Sequence, residues 1–211
     1  MSDSSASSLI PPSRPEHQAI LEARRAELVA ALRNIVPVSN GPVVLEVGCG
    51  HGHFLEAYAM AHPAITCVGI DIESDRITRA RRKRDRSGLT NLHFLRAEAR
   101  LFLDTLPPEV RFAAVFILFP DPWPKLRHHK HRLMQPDFLA AVAARMTTGG
   151  RLYFRTDDRA YFDATERILC DHSRWDLLKE GWPFEHDTVF QSRAAAGFFS
   201  LVVGVRDGSA P

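Results

Sequence analysis

One carboxylate in this chain is fenced by proline on both sides and followed at once by a run of positive charge. In Phe119-Pro120-Asp121-Pro122-Trp123-Pro124, the prolines restrict the backbone around Asp121 and Trp123, so the acid is held in place. Lys125, Arg127, His128, His129, Lys130, His131 and Arg132 come next. A fixed carboxylate can accept hydrogen bonds from the N–H edge of a base and stabilise charge that develops on it. Trp123 can stack on such a base or simply wall the turn. Lys125, Arg127, Lys130 and Arg132 suit phosphate, arginine being the better bidentate partner. The combination fits a pocket for a flat base attached to a polyanion. The histidines do not indicate a metal, because no acid or cysteine lies at ligand spacing beside them.

A second set of acids sits elsewhere in the chain. Leu45-Glu46-Val47-Gly48-Cys49-Gly50-His51-Gly52 reads as a strand running into a glycine-rich turn and a helix. Gly48 and Gly50 allow a tight turn and close approach of backbone to a ligand. Asp71 ends the next strand, where it can accept hydrogen bonds from both hydroxyls of a ribose. Glu98 follows a third strand and can face an adenine amino group. Structural alternatives stay open: Asp71 can open a turn and Glu98 can cap a helix. Glu46, just before the glycine turn, would repel a pyrophosphate and attract a cation. The pattern therefore favours S-adenosylmethionine over a nicotinamide dinucleotide.

These residues need a scaffold that brings strand ends together. Glu16 to Ile35 has helical spacing and stops before Pro37. Strands are expected at Val43–Val47, Ile65–Ile70, Leu92–Leu95, Phe112–Leu118 and Arg151–Arg155. Helices are expected at Gly52–His62, from Ser74 to about Arg86, at Pro136–Met146 (closed by Gly149-Gly150) and at Arg159–Cys170. The alternation predicts an α/β fold, a mostly parallel sheet with helices on both faces. A late pair, Trp175–Leu178 and Phe198–Val205, supplies an antiparallel edge. Lys179 to Gly197 is a long connection of the kind that often carries function.

Composition sets the frame around this. A chain of 211 residues, 45% hydrophobic, can bury one sizeable core, so residues 14–211 are expected to form a single domain after a disordered tail at 1–13. No apolar run approaches a membrane span, and the serine-rich start lacks the regions of a signal peptide. Cys49, Cys67 and Cys170 show no metal spacing and favour a reduced, cytoplasmic setting. The net charge of +2 hides two dense patches, Arg76 to Arg86 and Lys125 to Arg132. Each fits either a solvated face or a phosphate backbone, and the second adjoins the rigid turn.

The stretch Phe119 to Arg132 resembles the signature of the bacterial tRNA (guanine-N7-)-methyltransferases: Phe-Pro-Asp-Pro-Trp, then a lysine and a basic run. The resemblance covers about Val43 to Asp158. It implies a Rossmann-like class I methyltransferase with a seven-stranded sheet, S-adenosylmethionine as cofactor, and methyl transfer to guanine N7 in tRNA. By it Glu46, Gly48, Gly50, Asp71 and Glu98 bind cofactor, and Asp121 both lies beside the cofactor and is the catalytic acid. Lys125, Asp157, Thr188, Gln191 and Arg193 match substrate-binding positions, with Arg127, His128, Lys130 and Arg132 in the RNA-contacting segment. The sequence departs from the family at Thr188-Val189-Phe190-Gln191-Ser192-Arg193, where the family carries Thr-Lys-Phe-Glu before an arginine. Val189 cannot bind phosphate, and neutral Gln191 can bond a guanine edge without offsetting positive charge.

Overall fold

The computed structural model of the protein describes residues 14–35, 41–186 and 197–206. Along the chain run α1 (Arg14–Ile35), β1 (Val43–Val47), α2 (His53–Ala61), β2 (Thr66–Asp71), α3 (Ser74–Ser87), β3 (Leu92–Arg96), α4 (Ala99–Thr105) and β4 (Phe112–Leu118). A 3-10 helix at Leu126–His131 follows, then α5 (Pro136–Ala143), β5 (Met146–Thr156), α6 (Arg159–Asp171), β6 (Trp175–Leu178) and β7 (Phe199–Val205).

Strand pleat builds two cores from one sheet. Leu45, Val115 and Ile117 point to one face, where they pack with Leu32 of α1, Phe102 of α4, Leu139 of α5 and Leu169 of α6. Val44, Ala114 and Phe116 point to the other, against Phe54 and Leu55 of α2 and Ile77 and Ala80 of α3. With both faces covered, β4 is a continuous apolar run and β1 is interrupted only by Glu46, as expected of a buried parallel sheet.

The sheet order is β3-β2-β1-β4-β5-β7-β6. β1 pairs in parallel with both β2 and β4, so the order reverses beside it and opens a crevice at the carboxyl ends of the strands. β7 runs antiparallel to β5 and β6 and lies between them, joining the late strand pair to the sheet. Among the described residues no helix is long and apolar enough to cross a membrane.

Two elements differ from the sequence reading. The helix expected to run to Met146 ends at Ala143, because the Arg145 carbonyl accepts the Phe112 N–H at 2.8 Å and pulls the backbone into β5. Gly149-Gly150 therefore lies inside the strand, at the irregularity between the pairs Phe112–Met146 and Ala114–Arg151, with Gly149 at φ 72°. A helix the spacing did not reveal, α4, follows β3. Its seven residues are too few to show a period, and the Glu98 cap starts it.

Candidate active site

The glycine turn after β1 is locked by the acid that ends β2. Asp71 Oδ2 accepts the Gly50 N–H and Oδ1 accepts the Glu73 N–H, both at 2.9 Å, while Gly48 and Cys49 donate to the Ile70 carbonyl. Gly48 has φ 76° and Gly50 φ 54°, a left-handed conformation that costs other residues roughly 1–2 kcal/mol. A Cβ at either would meet no described atom within 4 Å, and Gly48, the exposed one of the two, leaves open space where a ligand can approach. Gly52, also left-handed at φ 72°, has a second reason to be glycine: a Cβ there would collide with the Phe94 ring.

Asp71 shares one cleft of about 420 Å³ with Glu98 and Asp121. Gly48 and Arg76 line it on the β1–β2 side, and Phe119, Trp123 and His131 on the β4 side. Glu98 also caps α4, accepting the Arg100 and Leu101 N–H groups at 2.9 and 2.8 Å. Glu98 thus starts a helix, one of the two sequence readings, and it also lines the cleft. Each oxygen of Asp71 and Glu98 keeps a further lone pair for a ligand donor.

Glu46 does not line the cleft. It is buried in β1, with Oε2 lacking a hydrogen-bond partner among the described residues. Burial, and after it the charge of Asp71, pushes its carboxyl up to about 8. Such a group is close to neutral at pH 7 and ionises when a cation arrives beside it. Glu46 in turn helps raise the thiols of Cys49 and Cys67, whose shifts come first from burial.

On the far side of the cleft, β4 leaves the sheet through a strained turn. Phe119 (φ 50°) and Trp123 (φ 45°) are left-handed, and each precedes a proline. Such backbone costs about 1–3 kcal/mol per residue and persists only where its surroundings over-determine it. Two buried residues do this, Arg132 through its side chain and Arg155 through its backbone carbonyl. Arg132 Nε donates to the Pro122 carbonyl at 2.7 Å; its guanidinium stacks over Tyr161 and pairs with Asp158 at 3.8 Å. Arg155 accepts the Phe119 N–H on its backbone carbonyl at 2.8 Å. Its guanidinium lies between the rings of Trp182 and Phe198 and holds both oxygens of Glu185, at 2.9 and 2.6 Å. Asp121 itself is exposed to the cleft.

This geometry corrects one reading. Arg132, expected to hold phosphate, has a side chain only 4% exposed and spends its guanidinium on the turn. Lys125, Arg127 and Lys130 remain exposed and His128 half-buried, the last accepting from Arg127 Nε at 3.2 Å. Trp123 meets the His128 and His131 rings at 5.7 and 5.2 Å between centroids. Asp157 is exposed just past the end of β5 and outside the cleft lining; Gly50 is buried and outside that lining too. Thr188, Gln191 and Arg193 lie outside the described residues. Sequence reasoning missed Arg155, whose only signal was an arginine directly after the apolar run Leu152–Phe154. Among the described residues no three His, Cys, Asp or Glu side chains are placed to hold a metal.

A sheet of this order, with one antiparallel strand and a glycine turn between β1 and α2, defines the class I methyltransferase fold. An rRNA methylase from Streptococcus thermophilus shares it, with TM-score 0.54 over 93% of this chain and 99% of that one at 12% identity, which shows fold alone. A family model described as "Putative methyltransferase" matches residues 40–194. Among relatives, the tRNA (guanine-N(7)-)-methyltransferase of Caulobacter vibrioides is 35% identical over 167 residues, covering 77% of this chain and 74% of its own. That of Nocardia farcinica is 38% identical over 120 residues, 57% of this chain; the chain thus matches 45%, less than half, of that relative's length. The chain belongs to the bacterial tRNA (guanine-N7-)-methyltransferase family.

Proposed function

We propose that this protein transfers the methyl group of S-adenosylmethionine to N7 of a guanine in tRNA. The observation that carries the reading is the single cleft in which Asp71 and Glu98 face Asp121 on its strained turn. The residues fit the cofactor. Asp71 has lone pairs for ribose hydroxyls, Glu98 has one for an adenine amino group, and Gly48 leaves room for the chain between them. The orphaned Glu46 oxygen suits a cationic group, and the cofactor carries both a sulfonium and an ammonium.

When bound, S-adenosylmethionine supplies the methyl group: the N7 lone pair forms the new C–N bond as the C–S bond breaks and its electron pair leaves with sulfur. N7 carries no proton, so no general base is needed, and the protein contributes mainly position. The methylated base is cationic. Asp121 accepts hydrogen bonds from the guanine N–H edge and stabilises the charge that develops there, an interaction stronger in the transition state than in the ground state. Asp157, at the end of the neighbouring strand, offers a second carboxylate for the acceptor. Lys125, Arg127, His128 and Lys130 hold the phosphates of the same strand. Thr188, Gln191 and Arg193, outside the described residues, supply further contacts to the acceptor. The setting that goes with this substrate is the cytoplasm.

The test is incubation with radiolabelled S-adenosylmethionine and unmodified tRNA, followed by nucleoside mapping. Label is expected at 7-methylguanosine. Absence of label there, with label on another RNA or a small acceptor from a cell extract, would overturn the reading.

A further inference from the structure

By sequence alone, the basic residues of α3 fit a solvated helix face as well as a phosphate contact. The fold places them beside the cleft. Arg76 lines the same cleft as Trp123 and His131, so α3 and the segment Lys125–His131 border it from opposite sides, although about fifty residues separate them in sequence. From Arg76 the positive charge runs along one side of the helix. At 3.6 residues per turn, Arg76, Arg79, Arg82, Lys83 and Arg86 fall within an arc of about 120° and span about 15 Å of helix length. The adjoining arc is the buried one, with Ile77 and Ala80 in the core.

These charges are only partly neutralised. Asp71 lies 3.7 Å from Arg76, and Glu56 lies 3.8 Å from Lys83. Arg79, Arg82 and Arg86 are exposed and have no ion pair among the described residues. Asp85 is taken by Arg84, at 2.6 Å, and Asp75 is the one other acid on the helix. The field reaches the glycine turn. His51 titrates below an ordinary histidine, first because of burial and then because Arg79, Arg76 and Lys83 repel its cation. A row of unpaired guanidinium groups costs self-repulsion, and a polyanion crossing it removes that cost.

We propose that the α3 face formed by Arg76, Arg79, Arg82, Lys83 and Arg86 is a second docking surface for the RNA backbone, so that the strand carrying the acceptor base crosses the cleft between two cationic rims. The inference rests on tRNA being the substrate and assigns a role to a surface which that reading does not need. Two rims hold the backbone on both sides of the acceptor nucleotide and leave its base over Asp121. A single basic segment would hold one side only.

The experiment is a tRNA-binding titration over a salt series with the full chain. Arg79→Gln, Arg82→Gln and Arg86→Gln, combined, are compared with Arg24→Gln and Arg33→Gln on α1, two exposed arginines distant in sequence from both rims. Each lost phosphate contact lowers the slope of log K against log salt by about 0.7–0.9. The α3 variant should therefore lose about 2 units of slope and more than tenfold in affinity, with S-adenosylhomocysteine binding unchanged as a check on folding. The α1 variant should keep the wild-type slope. If the α3 variant binds tRNA like wild type, or if both variants lose slope equally per charge, the second surface is wrong. Methylation of guanine N7 by the wild-type protein, measured in parallel, tells that failure apart from failure of the proposed function.

Discussion

The two ends of the cleft are built by different physics. At the β1–β2 end, backbone and acid hold each other over short distances: Asp71 binds the Gly50 and Glu73 amides, and Glu98 binds two amides of its own helix. At the β4 end, the turn is strained at Phe119 and Trp123 and is held from outside. Arg132 reaches it from beyond the basic segment, and Arg155 from the next strand, each buried and each spending its charge on protein. The β1–β2 end is self-supporting, whereas the β4 end depends on distant residues. Damage to one end should therefore be separable from damage to the other.

The sharpest separation comes from the two acids that face each other. Asp121→Asn should lower kcat by about 10²-fold or more, the size seen when one transition-state electrostatic partner is lost. Affinity for S-adenosylhomocysteine should change little. Equal losses in both would mean that Asp121 belongs to the cofactor end instead.

Asp71→Asn should do the reverse. An amide in place of the carboxylate sets an N–H₂ against the N–H of Gly50 or Glu73, leaving a buried donor unpaired at a cost of about 1–3 kcal/mol. Calorimetry with S-adenosylhomocysteine should show about 10–100-fold weaker binding, while the turn at Asp121 keeps its geometry.

Arg132→Met attacks the outside support that is a side chain, the Nε–H bond to the Pro122 carbonyl. It should lower kcat about tenfold or more with near-normal S-adenosylhomocysteine affinity, because strained backbone relaxes when its clamp is gone. Arg132→Lys should fall between, since it keeps the charge but not the fork. A loss of cofactor binding as large as the loss of kcat would show that the two ends are one unit.

The smallest effect per step concerns pH. Glu46 has its folded-state carboxyl raised to about 8. Between the ordinary carboxylate range and pH 8, the folded protein therefore holds a proton that the unfolded chain has released. Stability falls as pH rises through this window and levels off above it. Binding a cation beside Glu46 requires that proton to leave, so cofactor affinity should rise with pH, by up to about tenfold per unit, and flatten near 8. Glu46→Gln should flatten the profile. A wild-type profile already flat from about pH 6 to 8 would show that no cation sits there.

The legibility of these parts follows the same division. The β1 strand, its glycine turn and the acids at strand ends are encoded by neighbours a few residues apart, and they were readable. The helix α4 was not, because seven residues show no period and its stability comes from Phe102 and Leu103 in the core. The end of α5 was misjudged because the Arg145 carbonyl is claimed by Phe112, a residue far away in the chain.

By itself, the sequence determined the alternating architecture, the glycine turn, the proline fence around Asp121 and the presence of two basic segments, since all of these rest on local backbone preference and periodicity. Only the tertiary structure decided how the charges are used. Burial turned Arg132 from a phosphate ligand into a clamp, gave Arg155 a carboxylate and two rings, and left a Glu46 oxygen with no partner among the described residues. The crossing of β4 beside β1 then set the two basic segments on either side of one cleft. A charge acts according to its solvent exposure and its neighbours in space, and spacing along a chain records neither.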